Sequence, residues 1–217
     1  MIDTRAFIDQ LASHAQPVRR LASPLRRTAL WALLAAVVIA VVTANYGLRP
    51  GFASTAPKAI EWAGSVLTAL LAAYAVFQIS VPGRSPSWAW LPLPPMALWL
   101  SGLGWGCLRE FLQTGDAALA FEAASWECAQ AITLISLPLG AIVLLMVRHA
   151  GVVRPGPTAM LAALSASAMS AAGVSLFHEG ETALMVLVWH LGAVALLSML
   201  CWLFGRRLFA WIGHARR

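Results

Sequence analysis

Charged side chains are scarce in this chain: 11% of its 217 residues are charged, whereas 60% are hydrophobic. An average soluble domain is about 25% charged and about 45–50% apolar. The difference excludes a soluble globular fold, and it excludes disorder because disordered chains are poor in apolar residues. Cysteine is also scarce, and Cys107, Cys128 and Cys201 are too few and too scattered for a disulfide scaffold.

Catalytic motifs are missing as well. The chain has no glycine-rich phosphate loop, no paired histidines of a metalloprotease, no nucleophile elbow and no kinase-like motif. We therefore predict that the protein is not an enzyme. In a soluble protein the net charge of +6 would suggest a nucleic-acid partner. In so apolar a chain the basic residues are first read as signals of membrane topology, and we expect no direct contact with nucleic acid.

Six apolar stretches are each long enough to cross a bilayer, which takes about 20 helical residues. They cover approximately residues 28–46, 59–79, 88–107, 126–147, 157–176 and 182–204. We predict an all-α fold, a bundle of six transmembrane helices, with segment 1–27 before it and a basic tail, 205–217, after it. Three prolines, Pro92, Pro94 and Pro95, predict a kink in the third span.

The basic residues are distributed unevenly between the loops, and such residues are retained on the cytoplasmic side of a membrane. With the N-terminus inside, only Arg49, Lys58 and Arg109 of the 15 basic residues lie on the outer side. Most acidic residues lie in or beside the outer loops. Both termini are therefore predicted to be cytoplasmic.

The segment before the first span predicts a short amphipathic helix. Asp3 or Thr4 can cap a helix in which Phe7, Ile8 and Leu11 share one face. About three turns are marginal for an isolated helix in water. Such a helix gains stability in the groove of a partner or on a membrane surface. The alternative is a solvated leader whose arginines only set the topology.

Residues of the types that bind metals are predicted on the outer side, where the third to sixth spans begin or end. The candidates are Cys128, His178, His190 and Glu181, with Cys107 and Glu127 as additional ones. Thiolate, imidazole and carboxylate ligands together suit zinc or copper. In the alternative interpretation Cys128 is a small apolar residue, His178 and Glu181 belong to a wet loop, and His190 bonds to a carbonyl. An ionisable side chain within a span normally faces the bundle, so we expect His190 to be buried.

Several stretches taken together resemble a known family. They are FIDQLA at 7–12, PVRRL at 17–21, LISLPLGA at 134–141, VLVWHLG at 186–192 and GRRL at 205–208. These stretches are similar to the NrsF-like multi-pass anti-sigma factors, also called negative regulators of sigma-F.

The resemblance implies an inner-membrane protein that holds an extracytoplasmic-function sigma factor inactive until a stress acts. It makes the leader, segment 1–27, part of the sigma-binding surface. The residues concerned are Phe7, Ile8, Leu11, Val18, Arg19, Arg20 and Leu21. Membrane lipid is the other expected partner. No cofactor is required, and a transition metal is expected only as the signal.

Members of the family are associated with metal and oxidative stress, and many carry two periplasmic cysteines. Cys128 matches the first of them, but His178 stands at the position of the second. These two residues cannot form a disulfide, although Cys107 could replace the missing thiol. The resemblance therefore favours metal over oxidation as the signal.

Two other classes of function stay open. A small metal or solute transporter would need a continuous polar path through the bundle, and a scaffold without a sensing role would make the outer cysteine and histidine residues replaceable.

Overall fold

A computed structural model describes residues 3–13, 21–49, 56–119, 126–177 and 182–214, and within these ranges the regular structure is entirely helical. The described residues form eight α-helices, namely α1 (Thr4–Ser13), α2 (Pro24–Tyr46), α3 (Ala56–Ile79), α4 (Leu93–Thr114), α5 (Glu127–Val147), α6 (Pro155–Val174), α7 (Ala183–Val186) and α8 (Gly192–His214). Short 3-10 turns cover Pro86–Trp90 and Gly115–Leu119, and a π-helical turn, Leu187–Leu191, joins α7 to α8. The all-α prediction is confirmed for the described residues.

Five of the described helices are long and apolar enough to cross a membrane, as expected of a membrane protein. They are Pro24–Tyr46, Lys58–Ile79, Glu127–Val147, Pro155–Val174 and Leu184–Trp211. Helix α4 occupies the place of the predicted third span and has sufficient length, with 22 residues. Its prolines, glycines and tryptophans, together with Arg109 and Glu110, lower its hydropathy. The structure therefore supports five of the six predicted spans, and the third span stays a prediction.

The prolines of this region lie at the start of α4 rather than within a span. The helix begins at Leu93, with Pro92 as the capping residue and Pro94 and Pro95 in its first turn. Backbone N–H groups in a first turn have no partner within the helix, so proline removes no hydrogen bond there. The prediction of a proline kink in the inner half of the third span is wrong for this reason.

Helix α6 lies at the centre of the bundle, where it packs against α3, α5 and α8. All ten residues from Ser165 to Val174 are buried. Most of them are alanine or serine, and small side chains allow neighbouring backbones to approach closely. The hydroxyl of Ser65 in α3 donates to the carbonyl of Ala168 at 2.7 Å. Packing in this region therefore combines close contact with interhelical hydrogen bonds.

Two glycines lie where α6 and α8 approach each other closely. A Cβ atom built on Gly205 would lie 2.7 Å from the carbonyl oxygen of Pro155, and one built on Gly156 would lie 3.2 Å from that of Trp202. A side chain at Gly205 would therefore force the two helices apart.

Contacts between helix ends define two ends of the bundle. At one end, Arg27 reaches the carbonyl of Met146, and Arg154 donates to the carbonyl of Arg84 at 3.3 Å. Because this end also holds Gly205 and the following Arg206 and Arg207, we call it the arginine-rich end. At the opposite end the rings of Tyr46 and Phe177 stack with centroids 5.0 Å apart.

Candidate functional site

Helix α1 has an apolar face that is open to contact. Phe7, Ile8 and Leu11 are 51%, 57% and 58% exposed, and no residue of α1 is buried. Asp3 lies just before the helix and caps it, because its Oδ1 accepts a hydrogen bond from the backbone N–H of Arg5 at 3.0 Å. The predicted amphipathic helix is confirmed, and Asp3 is its cap. Three large apolar side chains therefore line one face of a helix that buries none of them.

The rest of the leader is described only in part. Val18, Arg19 and Arg20 lie outside the described residues, whereas Leu21 is described and exposed. Ser23 then caps α2, since its hydroxyl accepts from the backbone N–H of Arg26 at 3.4 Å. Proline at position 24 follows in the first turn, where its ring geometry suits a helix start.

The arginine-rich end presents several exposed cations near the start of α2. The exposed side chains are Arg26, Arg84, Arg148, Arg206 and Arg207. A surface of this kind attracts acidic partners and anionic lipid headgroups. It adds a polar surface at the end of the bundle from which the leader departs.

Arg27 differs from these arginines because it is buried, with 6% of its surface exposed. Its Nη2 donates to the carbonyl oxygen of Met146 at 2.6 Å, and its guanidinium carbon lies 4.3 Å from the centre of the Phe77 ring. Met146 is in the last turn of α5, where carbonyl groups lack helical partners and a cation is favourable. Arg27 therefore joins the start of α2 to the ends of α3 and α5.

The outer candidates are brought together only in part within the described residues. Cys128 is buried in the first turn of α5, and His190 is buried in the π-helical turn, which packs against α4 and α5. Glu127 is exposed and Cys107 is half-buried. The expectation that His190 faces the bundle is confirmed.

The predicted metal site as a whole stays a prediction. His178 and Glu181 lie outside the described residues. Among the residues that the structure does describe, no group of three His, Cys, Asp or Glu side chains is placed to hold a metal ion. A complete ligand set of three such side chains at this end would therefore need at least one from outside the described residues.

A sequence model of the family described as "NrsF: Negative regulator of sigma F" matches residues 11–211. The chain belongs to the NrsF family. The match spans nearly the whole chain, including the arginine-rich end, Cys128 and His190, and it begins at Leu11. Phe7 and Ile8 therefore precede the matched range. Among curated proteins and among solved structures, none matches the chain significantly.

Two features of the NrsF chain were missed by sequence reasoning. Arg27 was assigned to the same topological role as Arg26, although only Arg27 is buried. The available signal was helical spacing, since Arg27, Trp31 and Ala35 recur every four residues and form the buried face of α2. The second feature is the π-helical turn at His190, for which the sequence offers no comparable signal.

Proposed function

We propose that this NrsF-family protein is an inner-membrane anti-sigma factor that sequesters an extracytoplasmic-function sigma factor through its leader. The observation that supports this most directly is the exposed apolar face of α1, in a chain whose family is described as negative regulators of a sigma factor. The five apolar helices would hold that leader at the membrane.

The binding mode follows from the physical properties of α1. A helix of 10 residues is too short to be stable alone in water. Burying Phe7, Ile8 and Leu11 in a groove would stabilise it by about 1.5–3 kcal/mol for each side chain. The leader thus folds most favourably on a partner, as amphipathic helices that dock in grooves do.

The arginine-rich end supplies the second part of the proposed surface. Arg84 and Arg154 join the two loops of this end, because the Nη1 atom of Arg154 donates to the carbonyl of Arg84. Exposed cations accelerate the association of an acidic partner and favour its correct orientation. The sigma factor would therefore meet α1 and this charged end together.

We propose that the signal is a metal ion, with Cys128, His178, His190 and Glu181 as its ligands on the outer side. Buried Cys128 and His190 supply a thiol and an imidazole at the ends of helices that pack together. A ligand shifts an equilibrium only if it binds one state of the bundle more tightly than the other. Release of sigma would therefore require a metal-bound arrangement of α5 and the π-helical turn that differs from the metal-free one.

Co-purification in mild detergent tests the leader assignment. The tagged full-length chain is co-expressed with each extracytoplasmic-function sigma factor of its source organism. We expect one sigma factor to co-purify, and to be lost when residues 3–13 are deleted. In a second variant, residues 3–13 are replaced by the same residues in an order that removes the apolar face. This variant should also lose sigma. Retention by either variant would contradict the assignment.

A reporter strain exposed to Zn²⁺ tests the proposed signal. We expect Cys128→Ala and His178→Ala to keep sigma sequestered and to abolish its release by Zn²⁺, whereas Cys201→Ala should respond like the natural chain. A normal response of both variants would contradict the outer site. Zn²⁺ flux through liposomes containing the purified protein, without retention of any sigma factor, would favour a transporter.

A further inference from the structure

Helix α2 carries two side chains on one face that both donate hydrogen bonds to the backbone of α5. Arg27 donates to the carbonyl of Met146 at 2.6 Å, and the indole N–H of Trp31 donates to the carbonyl of Leu139 at 3.3 Å. Residues four apart lie one above the other on a helix. The two bonds therefore form one line of attachment between α2 and α5.

This attachment is concentrated at the arginine-rich end. The buried residues of α2 are Arg27, Thr28, Trp31 and Ala35, all within the first half of the helix. Of the five helices able to cross a membrane, α2 has the smallest buried share. The orientation of its first turns thus depends strongly on the few side chains that reach α5 and α3.

Arg27 has both favourable and unfavourable effects on protein stability. Its Nη1 atom is buried and has no hydrogen-bond partner among the described residues. Leaving this donor unsatisfied is unfavourable, and it offsets part of what the bond to the Met146 carbonyl and the contact with the Phe77 ring contribute. We therefore expect the net contribution of Arg27 to stability to be small, so that its main effect is on where the first turns of α2 are held.

The leader continues directly from this part of α2. Arg27 is four residues after Ser23, the residue that caps the helix, and its backbone N–H donates to the Ser23 carbonyl at 3.1 Å. A tilt or rotation of the first turns of α2 would therefore move the point at which the leader leaves the bundle.

We propose that Arg27 and Trp31 are positioning residues that hold the helix carrying the leader against α5. This inference rests on the proposed function, because the leader is taken to bind the sigma factor. It also gives α5 a defined role: Cys128 lies in its first turn, and the carbonyl that accepts from Arg27 lies in its last turn. A movement of α5 caused by a change at its outer end would shift α2, and with it the leader, through these two bonds.

Two variants test the positioning role in the full-length protein with the retained sigma factor. We expect Arg27→Met to unfold within about 3 °C of the natural chain in detergent, but to bind sigma about tenfold more weakly. Arg27→Lys keeps a donor for the Met146 carbonyl and should recover part of the affinity. Arg109→Met removes an exposed arginine near the other end of α4, away from the proposed surface, and should change neither measurement.

A measurement without sigma separates this inference from the proposed function. Spin labels are placed at Leu21→Cys and Val153→Cys, both exposed, in a chain whose three natural cysteines are replaced by alanine. We expect the distance distribution between the labels to broaden in Arg27→Met and in Trp31→Phe, but not in Arg109→Met. An unchanged distribution would overturn the positioning role.

The remaining outcomes are also decisive. A large loss of thermal stability in Arg27→Met would assign Arg27 to folding and overturn the inference. If the distribution broadens but the natural chain retains no sigma factor, the positioning of α2 stands and the proposed function fails.

Discussion

Helices α1 and α6 both carry apolar residues, yet they have opposite environments. Every residue of α6 from Ser165 to Val174 is buried, whereas α1 buries none and exposes Phe7, Ile8 and Leu11. The difference lies in side-chain size. Small residues let α6 approach three neighbouring helices, while the large side chains of α1 form a face that needs a groove.

The comparison of α1 with α6 shows that apolar character alone does not indicate where a segment packs. In a bilayer the lipid tails are as apolar as leucine, so close fit and hydrogen bonds decide helix packing. In water the same large side chains gain from burial on a partner. The comparison therefore predicts that changes in α6 affect the stability of the bundle and that changes in α1 affect partner binding.

The largest expected effect on stability comes from the contact between α6 and α8. Gly205→Leu introduces a side chain whose Cβ atom alone would lie 2.7 Å from the Pro155 carbonyl oxygen. We expect a loss of about 3 kcal/mol, the upper range for overpacking, measured by unfolding in detergent. Gly104→Leu is the control, because a Cβ atom there meets no atom within 4 Å. Equal stability of the two variants would contradict the tight packing.

The second prediction concerns the exposed face of α1. The double variant Phe7→Ala, Leu11→Ala should weaken sigma binding about 100-fold, because two large apolar contacts are truncated. The stability of the bundle should stay unchanged, since neither side chain is buried. Asp9→Ala, on the opposite face of α1, serves as the control. A titration of detergent-solubilised protein measures the affinities. A double variant less stable than the natural chain would contradict the prediction that changes in α1 affect partner binding rather than bundle stability.

A smaller effect is expected at the start of α1. Asp3→Ala removes the carboxylate that accepts from the Arg5 N–H. Loss of an N-cap destabilises a helix by about 1 kcal/mol, which corresponds to about fivefold weaker sigma binding in the same titration. Asp3→Asn should bind like the natural chain because asparagine is an equally good cap. Weak binding by the asparagine variant would assign Asp3 a direct charge contact instead.

The smallest effect is expected between α3 and α6. Ser65→Ala removes the hydrogen bond to the Ala168 carbonyl, and such bonds average about 0.6 kcal/mol in membranes. Unfolding in detergent should detect this loss of stability. Ser101→Ala is the control, because the exposed hydroxyl of Ser101 donates to the Ala97 carbonyl within its own helix. A loss above about 2 kcal/mol would indicate that the serine also satisfies a second buried group.

Much of the fold could be predicted because apolar length and helical spacing are local properties of a chain. Five of the predicted spans coincide with long apolar helices, and the helix at Phe7, Ile8 and Leu11 is present. Proline positions were less informative. Pro94 and Pro95 begin α4, whereas Pro138 lies inside α5, and the sequence alone does not distinguish a helix start from a helix interior.

The candidate sites could be predicted only as residue types on a common side. Cys128 and His190 were correctly expected on helices of the bundle, and both are buried. Their grouping with His178 and Glu181 remains a prediction because it depends on a loop outside the described residues. Arg27 shows the opposite case, since its importance follows from contacts with residues 50 and 119 positions away along the chain.

The apolar helices, the concentration of arginines in certain loops and the apolar face of the leader all follow from the amino-acid sequence. These properties depend on composition and on the spacing of neighbouring residues. The central place of α6, the contact of Gly205 with Pro155 and the bond from Arg27 rather than Arg26 to α5 are seen only in the folded bundle. The physical reason is that close packing and hydrogen bonds between helices depend on their relative rotation, which residues distant in the chain set together.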